Sequence, residues 1–301
     1  MKKPRKKPQR HRLGWAIAAV IALALAVLTG LMLMNASLLH VMRATVAVAD
    51  LPPVFEGATI LYLSDIDLCG LNTPARAAEA VMQLQSLHPD MLILGGDYTS
   101  RTVGDVLNRR TDAQGMLGRR GAFLQAVGRF EAPMGKYALA GMEDTALGDM
   151  TSMLQQNGFV PLNDTRNRIS VGDDALWLVG VGMDSERVSD MGRSFRAGEC
   201  VICVAESPDC FPRIVTAEAS DSGRWADLCL AGRTHGGQIR VLGRSALTLT
   251  GIEQQFLSGW TRESGVPMLT SSGVGCEGAN LRLGTRAEVW LITLTNVSRE
   301  T

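Results

Sequence analysis

The sequence predicts an α/β domain built on a largely parallel sheet and tied to a membrane by one N-terminal helix. Three observations predict it. Short, continuously apolar runs alternate with amphipathic stretches through the first half of the 301-residue chain. Many of those runs end in a loop carrying glycine and a carboxylate or histidine. Ahead of them, residues 15–34 form an uncharged apolar run of 20 residues. A helix needs about that length to cross a bilayer core of roughly 30 Å.

Charge organises the N-terminus. Basic and acidic residues number 30 each, yet residues 1–12 hold seven Lys/Arg and no acid, which leaves 23 basic against 30 acidic, a net of −7. A mildly acidic body argues against nucleic acid as a partner. The basic flank predicts a cytoplasmic N-terminus, a single membrane crossing through 15–34 and an extracytoplasmic domain. The expected division is a basic tail at 1–12, an anchor at 13–35, a linker at 36–56 and a domain at 57–301. A cleaved signal peptide is the alternative. Its best cleavage pattern, Ala47-Val48-Ala49, lies 13 residues beyond Met34, and the apolar run is longer than a usual signal core. Six cysteines in so long a chain are not a disulfide framework. Cys200 and Cys203, three apart in CVICVA, fall on opposite faces of a strand and read as packing residues.

In order, residues 35–56 read as a connector stiffened by Pro52 and Pro53. Residues 58–64 (ATILYLS) are apolar without alternation, as a central strand covered on both faces requires, and deliver SDID at 64–67. Thr73-Pro74 is a helix start, and Ala78, Val81, Leu84 and Leu87 give that helix an apolar face as far as His88. Residues 91–94 are a second buried strand leading to GGD at 95–97. The polar stretch 101–121, with Arg109-Arg110 and Arg119-Arg120, reads as a surface loop or weak helix with solvated charge. A helix at 122–130 and a strand at 137–140 run into GMED at 141–144. Strands are expected at 175–181, 200–205, 228–231, 239–242, 268–271 and 288–294, with helices at 147–156 and 253–257.

Five strand-end loops then line up: SDID, GGD, GMED, ESPD at 206–209 and GRTH at 232–235. Carboxylates and a histidine at the carboxyl ends of neighbouring strands gather where α/β sheets place their sites. One Asp after a strand is an ordinary turn residue; an ordered set of five points to a site.

Together with the framing segments LPPVFEGATILYLSD, PDMLILGGD, APMGKYALAG, SPD and GGQI, this set resembles the calcineurin-like metallophosphoesterases, in particular a bacterial membrane-anchored subgroup, over residues 51–294. The resemblance implies a four-layer α/β/β/α sandwich, two mixed β-sheets face to face with helices outside. It also implies two metal ions that activate water for in-line attack on phosphorus. Carried over position by position, the family's motifs are altered. Asp65 matches DxH, but Asp67 stands for its histidine. Asp97 keeps GD, whose carboxylate bridges both ions in the family. In GNHD, Met142 replaces the metal-binding Asn and Glu143 the catalytic His, while Asp144 is retained. Glu206 stands for the lone His before SPD, Arg233 for the first His of GHTH, and His235 matches the second.

One position therefore keeps Asp65, Asp67, Asp97 and His235, a hard set that suits Mn²⁺, Mg²⁺ or Ca²⁺, with Glu206 a weaker candidate ligand. The other would use Met142, Glu206 and Arg233 beside Asp97. Arginine stays protonated and cannot ligate, so a second metal is not expected, and Glu206 and Arg233 are expected to pair in its place. Clustered carboxylates require a cation, a proton or the neighbouring Arg233 charge. The implied activity is a one-cation phosphoesterase, reduced or without turnover, with Glu143 or Glu206 moving the proton and Arg233 supplying the lost ion's charge. Its ligands would be phosphorylated or lipid-linked. The alternatives are a pseudoenzyme, acting as a binding or scaffold module outside the membrane, and a site holding one structural divalent cation. Met142 reads as an apolar plug; His11, His40 and His88 carry no role in the site.

Overall fold

The computed structural model describes residues 10–109, 111–245 and 254–296. Residues 1–9 of the basic tail, Arg110 and Glu253, on which expectations above fall, lie outside the described residues. The first element, α1 (Arg10–Ser37), contains a segment, Leu13–Ser37, long and apolar enough to cross a membrane. Then come β1 (His40–Val48), β2 (Thr59–Leu63), α2 (Pro74–Gln83), β3 (Met91–Leu94), α3 (Val103–Leu107), α4 (Ala113–Val127) and β4 (Lys136–Ala138). The chain continues through α5 (Met142–Thr145), α6 (Met150–Gln156), β5 (Val160–Pro161), β6 (Arg166–Val171), β7 (Asp174–Val181), α7 (Val188–Gly192), β8 (Val201–Ala205) and α8 (Phe211–Thr216). It closes with β9 (Leu228–Ala231), a short hairpin β10 (Arg240–Val241) and β11 (Arg244–Ser245), then β12 (Gly259–Glu263), β13 (Val266–Thr270) and β14 (Glu288–Asn296).

Two six-stranded mixed sheets form, in the orders β1-β14-β2-β3-β4-β5 and β12-β13-β9-β8-β7-β6. Strand alternation builds three apolar layers from them. Ile60, Tyr62 and Ile93 from one sheet meet Leu178, Ile202 and Leu230 from the other. The opposite faces carry Leu61, Leu63 and Leu92 against Val81 of α2, Phe123 of α4 and Leu154 of α6. Val179, Val201 and Cys203 pack against Met191 of α7 and Phe211 and Ile214 of α8. The result is the α/β/β/α sandwich. Cys200 lies between the sheets and Cys203 under the helices, as strand spacing requires. Each fully buried Leu or Ile contributes on the order of 1.5–3 kcal/mol by leaving water.

Two expectations give way. The connector at 35–56 holds β1, which pairs in parallel with β14 over its whole length, from His40↔Glu288 to Val48↔Asn296. The stretch 101–121 is largely exposed but carries α3 and the start of α4, and its charge is not all solvated. Asp112 caps Gly115 N–H at 2.9 Å and α4 begins at Ala113, and Arg120 is fully buried. The sheets are mixed, as the family resemblance implies, because β14 runs antiparallel to β2, β12 to β13 and β6 to β7.

The topology fixes where the site sits. Strands β2, β3 and β4 are parallel, and β14 opposes them with Ile292 against Ile60. The starts of β14 and of β1 therefore lie at the carboxyl ends of β2 and β3, where SDID and GGD emerge. Helix α1 ends at Ser37, just before β1, at that same edge.

Candidate functional site

Backbone bonds stitch the strand-end loops together. Asp65 N–H donates to Gly96 O and Asp67 N–H to Asp97 O, both at 3.0 Å, joining the loops after β2 and β3. From the loop after β9, Arg233 N–H donates to Asp65 Oδ1 at 2.6 Å. Asp65, Asp67, Asp97, Arg233 and His235 all hold left-handed backbone, with φ of 51°, 46°, 55°, 74° and 49°. Off glycine such a conformation costs on the order of 1–3 kcal/mol, and it gathers at functional sites. Two glycines make the close approaches possible. A Cβ on Gly273 (φ 74°) would stand 2.6 Å from Asp65 Cβ, and one on Gly141 2.2 Å from Asp97 Oδ1.

Asp67, Asp97, His235, Arg233 and Glu143 line a cleft of about 80 Å³, with Glu277 and the hydroxyls of Thr99 and Ser100. Asp65 is buried behind it. Burial is the chief influence on the carboxylates. It pushes Asp65 up to about 6 against the pull of Ser64, Arg233 and Arg282, and pushes Asp67 and Asp97 well up, with Asp65 adding its repulsion to both. Burial, helped by Arg282 and Arg233, lowers His235 to about 3, so it is a neutral imidazole. The 3.5 Å approach of His235 Nδ1 to Asp67 Oδ2 is therefore not an ion pair.

The divalent cations implied by the sequence resemblance can be tested against these donors. Among the described residues no three His, Cys, Asp or Glu side chains form a ready metal-binding group. Yet Asp65 Oδ2, Asp67 Oδ2 and His235 Nδ1 are buried without hydrogen-bond partners. Unpartnered buried polar atoms cost on the order of 1–3 kcal/mol each, and these are two hard oxygens and one neutral imidazole. Their chemistry fits one hard divalent cation.

The second position has a different content. Glu206 is buried, and neither of its oxygens is without a partner: Oε1 accepts from Met142 N–H at 2.7 Å and Oε2 from Met183 N–H at 3.0 Å. Arg233 Nη1 lies 3.4 Å from Glu206 Oε1, while the Arg233 side chain keeps 28% exposure at the cleft. Met142 is no plug. It is 40% exposed, and its main-chain N–H, not its side chain, reaches inward. Glu143 is exposed at the cleft mouth, and Asp144 is fully buried. Asp144 accepts from Asp97 N–H and Gly141 N–H at 3.0 Å and from Tyr98 N–H at 3.2 Å, and it pairs with Arg120 at 2.8 Å. Burial pushes it up to about 6, with Arg120 pulling the other way. Its part is to hold the Asp97 loop.

Sequence reasoning missed Arg282. It is fully buried, and its guanidinium donates to Ser272 O at 2.6 Å, Gly275 O at 2.5 Å, Arg286 O at 2.9 Å and His235 O at 3.3 Å. A charged residue in the polar loop NLRLGTRAE carries no signal of burial. Glu277, Thr99 and Ser100 were likewise silent, because their loops reach the cleft only through tertiary structure.

Comparison with known proteins gives a consistent picture. The chain is 25% identical over 245 residues to "Uncharacterized metallophosphoesterase YkoQ" of Bacillus subtilis (strain 168), covering 79% of this chain and 83% of that protein. It is 25% identical over 243 residues to "Phosphodiesterase YaeI" of Escherichia coli (strain K12), covering 78% and 81%. It is 25% identical over 272 residues to "Transmembrane protein with metallophosphoesterase domain" of Bos taurus, covering 83% of this chain and 55% of that one. No family model matches the chain.

Proposed function

We propose, from its similarity to metallophosphoesterases over most of its length, that this chain is a membrane-anchored protein of that family that binds a phosphoester at a single divalent-cation position and hydrolyses it far more slowly than a two-cation site. Helix α1 is the anchor, with residues 1–12 in the cytoplasm and the domain outside. The carrying observation is the contrast between the two positions. Asp65 Oδ2, Asp67 Oδ2 and His235 Nδ1 are buried and unpartnered, while Glu206 is taken by two N–H donors and Arg233.

Asp65, Asp67, Asp97 and His235 would hold the cation, of Mn²⁺, Mg²⁺ or Ca²⁺ type, which supplies Lewis-acid polarisation of a phosphoryl oxygen when bound. The rest falls to the chain's own groups. Arg233, partly exposed at the cleft, presents guanidinium N–H donors to phosphate oxygens. Ser100 and Thr99 add hydroxyls on the same wall. Glu143, exposed at the mouth, would be the carboxyl that moves a proton to or from the reacting oxygens. Glu206 is engaged and does not serve in that step.

The contact between Arg233 and Glu206 favours a second reading, a pseudoenzyme that binds or scaffolds without turnover around a structural cation. One experiment separates them. Full-length protein is purified in detergent without chelator, its metal is measured by mass spectrometry, and hydrolysis of bis-p-nitrophenyl phosphate is followed with added Mn²⁺. One cation per chain with turnover abolished by Asp97→Asn supports the enzyme. One cation with no turnover supports the binding module. Protein that takes up no divalent cation overturns both.

A further inference from the structure

We propose that the site-bearing edge of the domain rests on the bilayer, with α3 and the β10–β11 hairpin dipping into the interface of a membrane that carries anionic lipid. The surface does not depend on the phosphoester reading. Its consequence, that the phosphoryl groups within reach of the cleft are those at lipid headgroup depth, does.

Helix α1 ends at the carboxyl edge of the first sheet, and it is fastened there. Arg282 N–H donates to Met32 O at 3.1 Å, Ala287 N–H to Asn35 O at 3.1 Å, and Asn35 Nδ2 to Arg282 O at 3.4 Å. The Arg282 side chain in turn holds the loops of His235 and Ser272–Gly275. One residue thus ties the membrane helix to the wall of the cleft, and the domain has no free linker on which to swing the site away.

The same edge displays the most exposed apolar side chains of the described domain outside α1. Leu242, at the tip of the β10–β11 hairpin, is 99% exposed, and Leu107 at the end of α3 is 77% exposed. Val103, Val106 and Leu71 are also exposed, and all lie beside the cleft or the helix exit. Val103, Val106 and Leu107 line a groove of about 150 Å³ that shares Ser100, Glu143 and Glu277 with the site cleft. Exposed apolar groups clustered on one edge mark a contact surface. Exposed arginines accompany them, Arg101 in the groove, Arg76 beside Leu71, Arg244 in the hairpin and Arg286 at the helix exit, against the exposed carboxylates Glu143 and Glu277. Apolar tips set among arginines suit an interface of acyl chains and anionic headgroups.

The test reads depth and needs no activity. All six native cysteines are buried, so a maleimide fluorophore goes to an introduced one. Full-length Leu242→Cys, Leu107→Cys and Asp173→Cys variants are placed in nanodiscs of phosphatidylcholine and phosphatidylglycerol. Asp173 sits in the β6–β7 turn, at the opposite end of the strands. Quenching by lipid-borne nitroxide is compared with quenching by aqueous iodide. Labels at 242 and 107 are expected to be quenched several-fold more by the lipid quencher than the label at 173, with iodide showing the reverse order. Equal lipid quenching at all three, or iodide reaching 242 and 107 as freely as 173, overturns the proposal. Because the readout ignores turnover, a failed hydrolysis assay with correct depths sinks the enzymatic reading alone.

Discussion

Arg233 carries a charge pair and a strained backbone at once, and the two can be separated. Its guanidinium lies 3.4 Å from Glu206 Oε1, with 28% exposure on one side and 3% on the other. A fully buried pair broken on one side loses about 3–5 kcal/mol, and an exposed pair less than about 1 kcal/mol. This pair lies between. Glu206 keeps two backbone N–H donors when Arg233 is removed, so the abandoned carboxylate is partly satisfied. Arg233→Ala is therefore expected to lose about 2 kcal/mol. Arg233→Gly loses the same pair but frees the backbone at φ 74°, and is expected to be about 1 kcal/mol more stable than the alanine variant. The assay is urea unfolding of the detergent-solubilised chain, followed by tryptophan fluorescence, to which the buried Trp225 contributes, and converted through the midpoint and slope. An alanine variant within about 0.5 kcal/mol of wild type refutes the pairing. A glycine variant no more stable than the alanine one refutes the strain.

Three further outcomes follow from other parts of the molecule. Arg120→Met strands Asp144 in a site where both partners have no exposure, and is expected to lose about 3–5 kcal/mol in the same urea assay. Gly141→Ala places a Cβ 2.2 Å from Asp97 Oδ1, so cation affinity measured by calorimetry is expected to fall at least about tenfold, with the far-UV spectrum unchanged. Burial raises Asp227 to about 7, with Val201 N–H and Arg224 pulling it back. A carboxyl raised above its unfolded value of about 3.9 contributes most below that pH and loses the contribution as pH climbs towards 7. Stability should decline over that window, and Asp227→Asn should flatten the decline in urea midpoints taken at successive pH values.

Much of the fold was legible because buried strands write themselves as short apolar runs closed by turn residues. Leu228–Ala231 and Met91–Leu94 came out with the expected bounds. Strand β1 did not, since HVMRATVAV is an edge strand with most side chains exposed, and its partner lies some 250 residues away. The start of α4 was hidden by Gly115, Gly118 and Gly121 with Arg119 and Arg120, a composition that reads as loop until the Asp144 carboxylate is placed beside Arg120. At the site, the residue types at strand ends brought Asp65, Asp67, Asp97, His235, Arg233 and Glu206 together on paper, and they are neighbours in space. Met142 was misread because a side-chain change was weighed where the main chain makes the contact. Nothing local could have announced Arg282, whose partners are carbonyls of loops distant in sequence.

The proposed single cation bears on how the charges of the site pair. Asp144 is answered by Arg120 and Glu206 by Arg233. Asp65, Asp67 and Asp97 remain, with the buried Arg282 acting on Asp65 and Asp67 through space while its Nη groups donate to carbonyls. Neutral His235 adds no charge. Three carboxylates against one guanidinium leave an excess of negative charge, to which Glu277 and Glu143 on the same cleft add, and which the proposed cation would answer. On this reasoning the double variant Glu206→His/Arg233→His, which removes one charge of each sign and restores two neutral donors, keeps the net charge and opens the second position. Mass spectrometry should find more metal per chain in the double variant than in the native protein, with affinity at the first position held within about tenfold. An unchanged stoichiometry would refute the idea that the Glu206–Arg233 pair is what closes the second position.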